Sequence, residues 1–215
     1  MTKLEIKIEA LSPLHLSSGR ADVIIDSDVM HDGLGLPIFP GRRLKGLIYE
    51  SAVEITEMAG MAGYGQVLER LFHHNSSSEC QLIVSDLYLA KGNEYERLRA
   101  DWQRLQKEYS SILNPYSVLE AFTSVRFQTK VEDGVVVKGS LRNLRVVDAG
   151  TCFYGDLRLE GAGEAELELL ALAVRNLQHI GMKRNRGFGR IVCTLKLENG
   201  KTEQALIDRA LGRLS

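Results

Sequence analysis

At 215 residues, with 44% apolar and 26% charged side chains, the chain is long enough to bury one sizeable core and has an ordinary globular composition. A formal net charge of −1 excludes coating nucleic acid through bulk charge, so any such site must be local. No apolar run approaches the roughly 18 residues of a membrane span, residues 1–6 lack a signal-peptide block, and Cys80, Cys152 and Cys193 are too scattered for a disulfide frame or zinc ribbon. The expectation is a cytoplasmic protein with reduced thiols.

Residues 3–11 alternate Leu4, Ile6 and Ile8 with Lys3, Glu5, Lys7 and Glu9, the period of a half-buried strand. Ser12-Pro13 breaks it, and Ser17-Ser18-Gly19 forms a loop. Residues 20–32 are extended or looped and rich in acids. Two prolines and three glycines within 33–41 exclude a regular element there, and Pro40-Gly41 leads into a helix. From Arg42, the positions Leu44, Leu47, Ile48, Ile55 and Ala59 follow helical spacing, and 67–72 adds further turns after Gly60, Gly63 and Gly65. His73-His74 lies in a serine-rich loop. A strand is predicted over 81–89 and an amphipathic helix over 94–113, carrying Leu98, Trp102, Leu105, Tyr109 and Ile112, with Asn114-Pro115 as its stop. Residues 121–147 read as a hairpin arm turning at Asp133-Gly134, with a basic segment over 138–145. A strand at 151–160, a helix at 164–178, a glycine-rich loop, a strand at 190–198 and a short helix at 201–213 complete the chain. The regular core thus runs strand, helix, strand, insertion, strand, helix, strand. That is the ferredoxin-like α+β order, a sheet with helices on one face.

The loop at 180–191 combines Gly181, Gly187 and Gly189 with Lys183, Arg184, Arg186 and Arg190, and holds no acid. Glycines let backbone N–H groups approach a ligand and the cations neutralise phosphates; the other reading is a solvated basic turn. Arg186-Gly187-Phe188-Gly189 matches the first half of the RNP1 signature, but Arg190 replaces its aromatic and the first strand lacks the stacking aromatic of RNP2. A second anion site is read at 41–46, where Arg42, Arg43 and Lys45 sit in the first turn of a helix, against its dipole, and make sense if a phosphate chain supplies negative charge. Asp26 and Asp28 are two apart, so an extended backbone places both carboxylates on one face; Asp22 and Asp32 share that parity, and His31 adjoins Asp32. Such acids suit a divalent metal beside a phosphodiester, whereas a lone aspartate with a pKa of about 3.9 is a poor general base. The alternative is an acidic solvated loop. His15, near Ser17, Ser18 and Arg20, could line a nucleic-acid groove. No G-x-S-x-G elbow and no Walker loop is present.

In this order the motifs resemble the RAMP superfamily of type III CRISPR effector complexes, especially the repeated backbone subunit that grips guide RNA. The resemblance rests on Ser12-Pro13-Leu14-His15-Leu16 with Gly19, and on Ile25-Asp26 followed by Val29-Met30-His31-Asp32. It continues through Leu36-Pro37-Ile38-Phe39-Pro40-Gly41 to Leu44-Lys45-Gly46, through Gly139-Ser140-Leu141 and Val147-Asp148-Ala149-Gly150-Thr151, and into the 181–190 loop. Departures are Arg42 and Arg43 in place of two serines, His73 where glycine is usual, and the long insertion around Trp102.

The resemblance implies an RRM-like palm (1–92 and 146–200), a helical insertion and protruding β-hairpin thumb (93–145), and a C-terminal helix (201–213). It implies copies stacked along a guide RNA, with thumbs that displace nucleotides of the guide–target duplex. It makes Asp26 the residue that cuts complementary target RNA with a divalent cation, Mg2+ or Mn2+, and Asp28 and Asp32 possible metal or supporting groups. Guide contacts are expected from Arg20, Arg42, Arg43, Lys45, Gly181, Lys183, Arg184, Arg186, Gly187 and Gly189, and thumb features from Asp133, Gly134 and Lys138. The expected partners are guide RNA, target RNA, copies of the chain and other effector subunits, with no membrane. Two other readings stay open: a non-catalytic scaffolding or capping subunit, and a metal-independent guide-processing endonuclease with His15 or His31 as general base.

Overall fold

Alternation in the first strand produces a two-faced sheet. Strand β1 (Thr2–Ala10) buries Leu4, Ile6, Ile8 and Ala10 and turns Lys3, Glu5, Lys7 and Glu9 the other way. The structure is a computed structural model and describes residues 1–19, 25–58, 64–72, 80–181, 186–197 and 203–212. Helices α1 (Gly41–Met58) and α2 (Tyr64–Phe72) lead to strand β2 (Gln81–Val84). The insertion holds α3 (Gly92–Glu108) and α4 (Pro115–Glu120), then strands β3 (Thr123–Gln128), β4 (Val131–Glu132), β5 (Val135–Val136) and β6 (Arg142–Val147). Strand β7 (Cys152–Glu160), helix α5 (Glu164–Asn176), strand β8 (Ile191–Leu197) and helix α6 (Glu203–Gly212) follow.

The main sheet has the order β2-β7-β1-β8 with every neighbouring pair antiparallel, the ferredoxin-like arrangement that the element order predicts. Helix α5 packs on the sheet beside α1, α2 and α6, each of which also touches the sheet, and its run 169–174 is buried on all sides. Phe39 meets Phe153 edge-on in this core at 6.0 Å between centroids. The open face of the sheet is laced by exposed or half-exposed charges, including the ion pairs Lys3–Asp156 (3.6 Å) and Lys7–Glu9 (2.9 Å).

Three expectations are corrected. The strand over 81–89 is regular only to Val84; it bulges and resumes where Tyr88 and Tyr154 exchange both backbone hydrogen bonds. The helix over 94–113 ends at Glu108, and Asn114-Pro115 starts a helix instead of stopping one. Asn114 Oδ1 accepts from the N–H groups of Tyr116 (2.9 Å) and Ser117 (3.1 Å), and Pro115 takes the first helical position, where its missing N–H costs nothing. The Trp102 face packs on a second apolar cluster of Leu36, Tyr95 and Val118, with Phe122 edge-on to the indole at 6.5 Å.

The arm is a true hairpin. Strands β3 and β6 pair antiparallel at its base and β4 and β5 at its tip, closed by Asp133 (φ 48°) and Gly134 (φ 79°). Two successive positive φ values define the primed turn that matches strand twist, which Asp-Gly is best able to supply. Lys138 is exposed on this arm.

Candidate nucleic-acid interface

The segment 25–29 reaches its place because the arm's return strand holds it. Ser27 pairs in parallel with Leu144 of β6, and Arg145 N–H donates to the Ser27 carbonyl at 3.0 Å. One residue back, Asp26 N–H donates to Asn143 Oδ1 (2.7 Å) while Asn143 N–H donates to Asp26 Oδ2 (2.8 Å). One residue on, Asp28 lies 3.1 Å from Arg145 Nε, and Arg145 Nη1 also donates to Thr123 Oγ1 at 3.2 Å. Asp26 is exposed, whereas Asp28 is only 7% and Arg145 only 4% accessible.

This overturns the shared face expected for Asp26 and Asp28. The bend at Asp26 breaks the period-2 alternation, and Asp28 turns inward to neutralise a buried guanidinium. Asp32 organises its own loop, with Oδ1 accepting from the N–H groups of Leu34 and Leu36, both at 2.9 Å. Its Oδ2 accepts from Tyr95 at 3.2 Å and lies 3.6 Å from Arg99. Burial, together with the Asp32 carboxylate, pushes the Tyr95 phenol well above its usual range. Among the described residues no group of three His, Cys, Asp or Glu side chains could hold a metal ion. Asp26 thus offers a single exposed carboxylate, a donor set that fits a divalent cation only if phosphate oxygens and water supply the remaining ligands.

His15 is only 2% accessible. Its Nδ1–H donates to the Arg145 carbonyl at 2.7 Å, and Nε2 is hydrogen-bonded with Ser27 Oγ at 3.0 Å. Both nitrogens are engaged, which leaves none to take a proton from a substrate. His31 is exposed, with Nδ1 donating to the Asp32 carbonyl at 2.8 Å.

The cationic residues divide. Arg43 Nη2 donates to the Ser17 carbonyl (2.9 Å), Ser17 Oγ meets Ser27 Oγ (3.3 Å), and Asp26 adjoins Ser27. On the other side, Arg142 pairs across the arm with Gln128, whose Oε1 accepts from Arg186 Nη1 at 3.2 Å. A line of contacts therefore runs from Arg43 through Ser17 and Ser27 to Asp26 and Asn143, while Arg142 and Gln128, which holds Arg186, alternate to the opposite side of the β3–β6 ladder from Asn143. Phe127 is cross-strand to Asn143 and hence on the same side of the ladder, 66% exposed. Arg42 is also exposed. Lys45 is not on this line: its Nζ donates to the Leu82 carbonyl of β2 at 2.8 Å, and burial pulls its pKa below the usual lysine value. The negative charge expected from a phosphate at the start of α1 is supplied instead by Asp86, whose Oδ1 accepts from Gly41 N–H at 2.8 Å.

The glycine-rich loop leaves strand-like contacts at His179 and Arg190. Two of its glycines serve the chain's own packing. Gly189 (φ 80°) donates its N–H to the Pro13 carbonyl at 2.9 Å, and a Cβ there would lie 1.9 Å from the Ile180 oxygen. A Cβ on Gly181 would lie 2.7 Å from the His15 oxygen. Only Gly187 (φ 80°) faces open space among the three. Arg20, Asp22, His73, His74, Lys183 and Arg184 lie outside the described residues. Asn143, Arg145, Ser27 and Asp86 are the site residues that sequence patterns did not single out. Arg145 alone carried a signal, as one cation in the apolar run Leu144-Arg145-Val146-Val147.

A family model described as the RAMP superfamily matches residues 7–192. Among solved structures, a chain in a cryo-EM structure of Type III-B Cmr-beta bound to cognate target RNA aligns with a TM-score of 0.62 at 14% identity, covering 95% of this chain and 98% of that one. A chain in the apo-state cryo-EM structure of Type III-B Cmr-beta aligns with a TM-score of 0.60 at 16% identity, covering 92% and 98%. At these identities the likeness is one of fold. No curated protein matches. No helix among the described residues is long and apolar enough to cross a membrane.

Proposed function

The chain belongs to the RAMP superfamily, and from that premise we propose that it is a guide-RNA-binding backbone subunit of a type III CRISPR ribonucleoprotein that cuts complementary target RNA at Asp26. The observation that carries this reading is the Asp26 carboxylate itself, exposed and yet fixed at the arm's root by Asn143, with Arg43 reaching the same segment through Ser17 and Ser27. An RNA strand crossing the arm's root on the Asn143 side brings a phosphate to Arg43, while Phe127 on that side offers an exposed ring for a base to stack on. The fold's likeness to chains in structures of Type III-B Cmr-beta, one of which has Cmr-beta bound to cognate target RNA, supports RNA and other complex subunits as partners.

A divalent cation, Mg2+ or Mn2+, when bound supplies charge stabilisation on the phosphodiester and activates an oxygen nucleophile. The chain's share is to present one Asp26 oxygen toward the scissile phosphate and to hold a flanking phosphate with Arg43. The test is a complex reconstituted with guide and labelled complementary RNA. Asp26→Ala should keep the guide and lose chelator-sensitive cutting.

One observation favours a second reading, a subunit that scaffolds or caps without cutting: Asp28 and Asp32 are both committed to structural contacts, leaving Asp26 without a second carboxylate among the described residues. That reading predicts no cleavage at this subunit's positions in any reconstituted complex.

A further inference from the structure

We infer that Asn143 is the positioning residue of the proposed cleavage site, aiming the Asp26 carboxylate and carrying it on the thumb's return strand. The inference rests on the reading of Asp26 given above. An exposed aspartate ordinarily samples several rotamers. Here Asn143 closes a two-way clasp across 117 positions of sequence, its Oδ1 on the Asp26 N–H at 2.7 Å and its N–H on Asp26 Oδ2 at 2.8 Å. The side-chain half fixes where the Asp26 backbone sits, and the backbone half fixes which way the carboxylate points. Oδ2 is held and Oδ1 has no partner among the described residues, so a single oxygen is presented outward.

The clasp continues along the strand. Ser27 is bonded to Arg145 N–H and to His15, itself anchored on the Arg145 carbonyl, and Asp28 is paired with the Arg145 guanidinium. Asp26, Ser27 and Asp28 are therefore strapped to Asn143, Leu144 and Arg145. Strand β6 is half of the arm's base, so any tilt of the arm moves Asp26 with it. Asn143 is the member of this strap nearest the carboxylate and the only one bonded to it.

The test compares Asn143→Leu, which keeps the side chain's shape but removes the acceptor, with Asn143→Asp, which keeps both shape and acceptor. Both are assembled with guide RNA and the other effector subunits, beside wild type and Asp26→Ala. Single-turnover cleavage of target RNA in Mg2+, target affinity and the variants' melting temperatures are measured. Asn143→Leu should cut about tenfold more slowly or worse, since small misplacements of a reacting group are costly in rate. Its target affinity and melting temperature should stay near wild type, and Asn143→Asp should recover most of the lost rate. Wild-type cutting by Asn143→Leu overturns the inference, as does a rate loss that only tracks lost stability or lost RNA binding. Undiminished cutting by Asp26→Ala overturns the reading of Asp26 instead, so the two failures are separable.

Discussion

Arg145 and Asp28 form a buried ion pair that fastens the arm to the acidic segment, with Nε and Oδ1 3.1 Å apart and side chains 5% and 11% accessible. Their sequence positions are far apart, and both are buried. Removing one member strands the other charge in a dry environment, at a cost of about 3–5 kcal/mol. Asp28→Ala should therefore lower the urea midpoint strongly. In complexes that still assemble, Asp28→Ala should leave the metal concentration needed for cutting unchanged, because Asp28 is a structural partner. A shifted metal requirement with intact stability would return Asp28 to the metal site.

The glycine-rich loop predicts an ordered pair of effects. Gly189→Ala should destabilise the fold by about 3 kcal/mol or more, because a Cβ placed 1.9 Å from the Ile180 oxygen forces the backbone apart. Gly187→Ala meets no atom of the described residues within 4 Å and should cost only about 1–2 kcal/mol for its positive φ. Thermal unfolding of the two variants checks the order.

Guide binding should depend on salt through particular arginines. Arg43→Ala and Arg186→Ala should each reduce the log–log salt slope by about 0.7, the share of one phosphate contact on single-stranded RNA. Lys45→Ala should leave the slope unchanged, since its ammonium is spent on the Leu82 carbonyl. Filter-binding titrations across salt concentrations decide this, and a slope reduced by Lys45→Ala would place the guide along β2 instead.

Glu166 predicts a pH dependence. Burial acts to raise its pKa, but hydrogen bonds from Arg70 (Nε 2.9 Å, Nη2 2.6 Å) and from backbone N–H groups outweigh burial and hold it below the usual 4.5. A carboxyl with a depressed folded-state pKa contributes stability that is fully present above the unfolded value and is lost as pH falls through the folded one. Glu166→Gln should thus be less stable than wild type at neutral pH, with the gap closing under acid conditions. Urea midpoints taken at pH values on both sides of the usual 4.5 measure that gap.

Much of the fold was legible in the residues because it follows short-range rules. Alternation in β1, helical spacing in α1 and α5, and Asp133-Gly134 in the arm each act over a few positions and lead to the observed elements. Asn114-Pro115 misled because such a dipeptide, which cannot continue a helix, is equally suited to begin one, and here it caps α4 after α3 has already ended at Glu108. The site was less legible. Asp26 stood out by motif, but parity could not tell that Asp28 faces inward, since that depends on Arg145 arriving from a distant strand. Lys45 and Arg43 look alike in sequence, and only the placement of β2 and Ser17 separates them. Glycines in the 181–189 loop looked like ligand cradles, yet two of the three are required by the chain's own backbone at His15 and Ile180.

Every role proposed for the site turns on cutting by the Asp26 carboxylate. Its most direct test is the single-turnover cleavage rate of complementary RNA by a reconstituted complex carrying Asp26→Asn, which preserves shape and removes charge. The expected result is a fall of at least about a hundredfold with guide and target affinities unchanged, on the scale of losing one chemically essential group. Cleavage at the wild-type rate and at the same positions would contradict it.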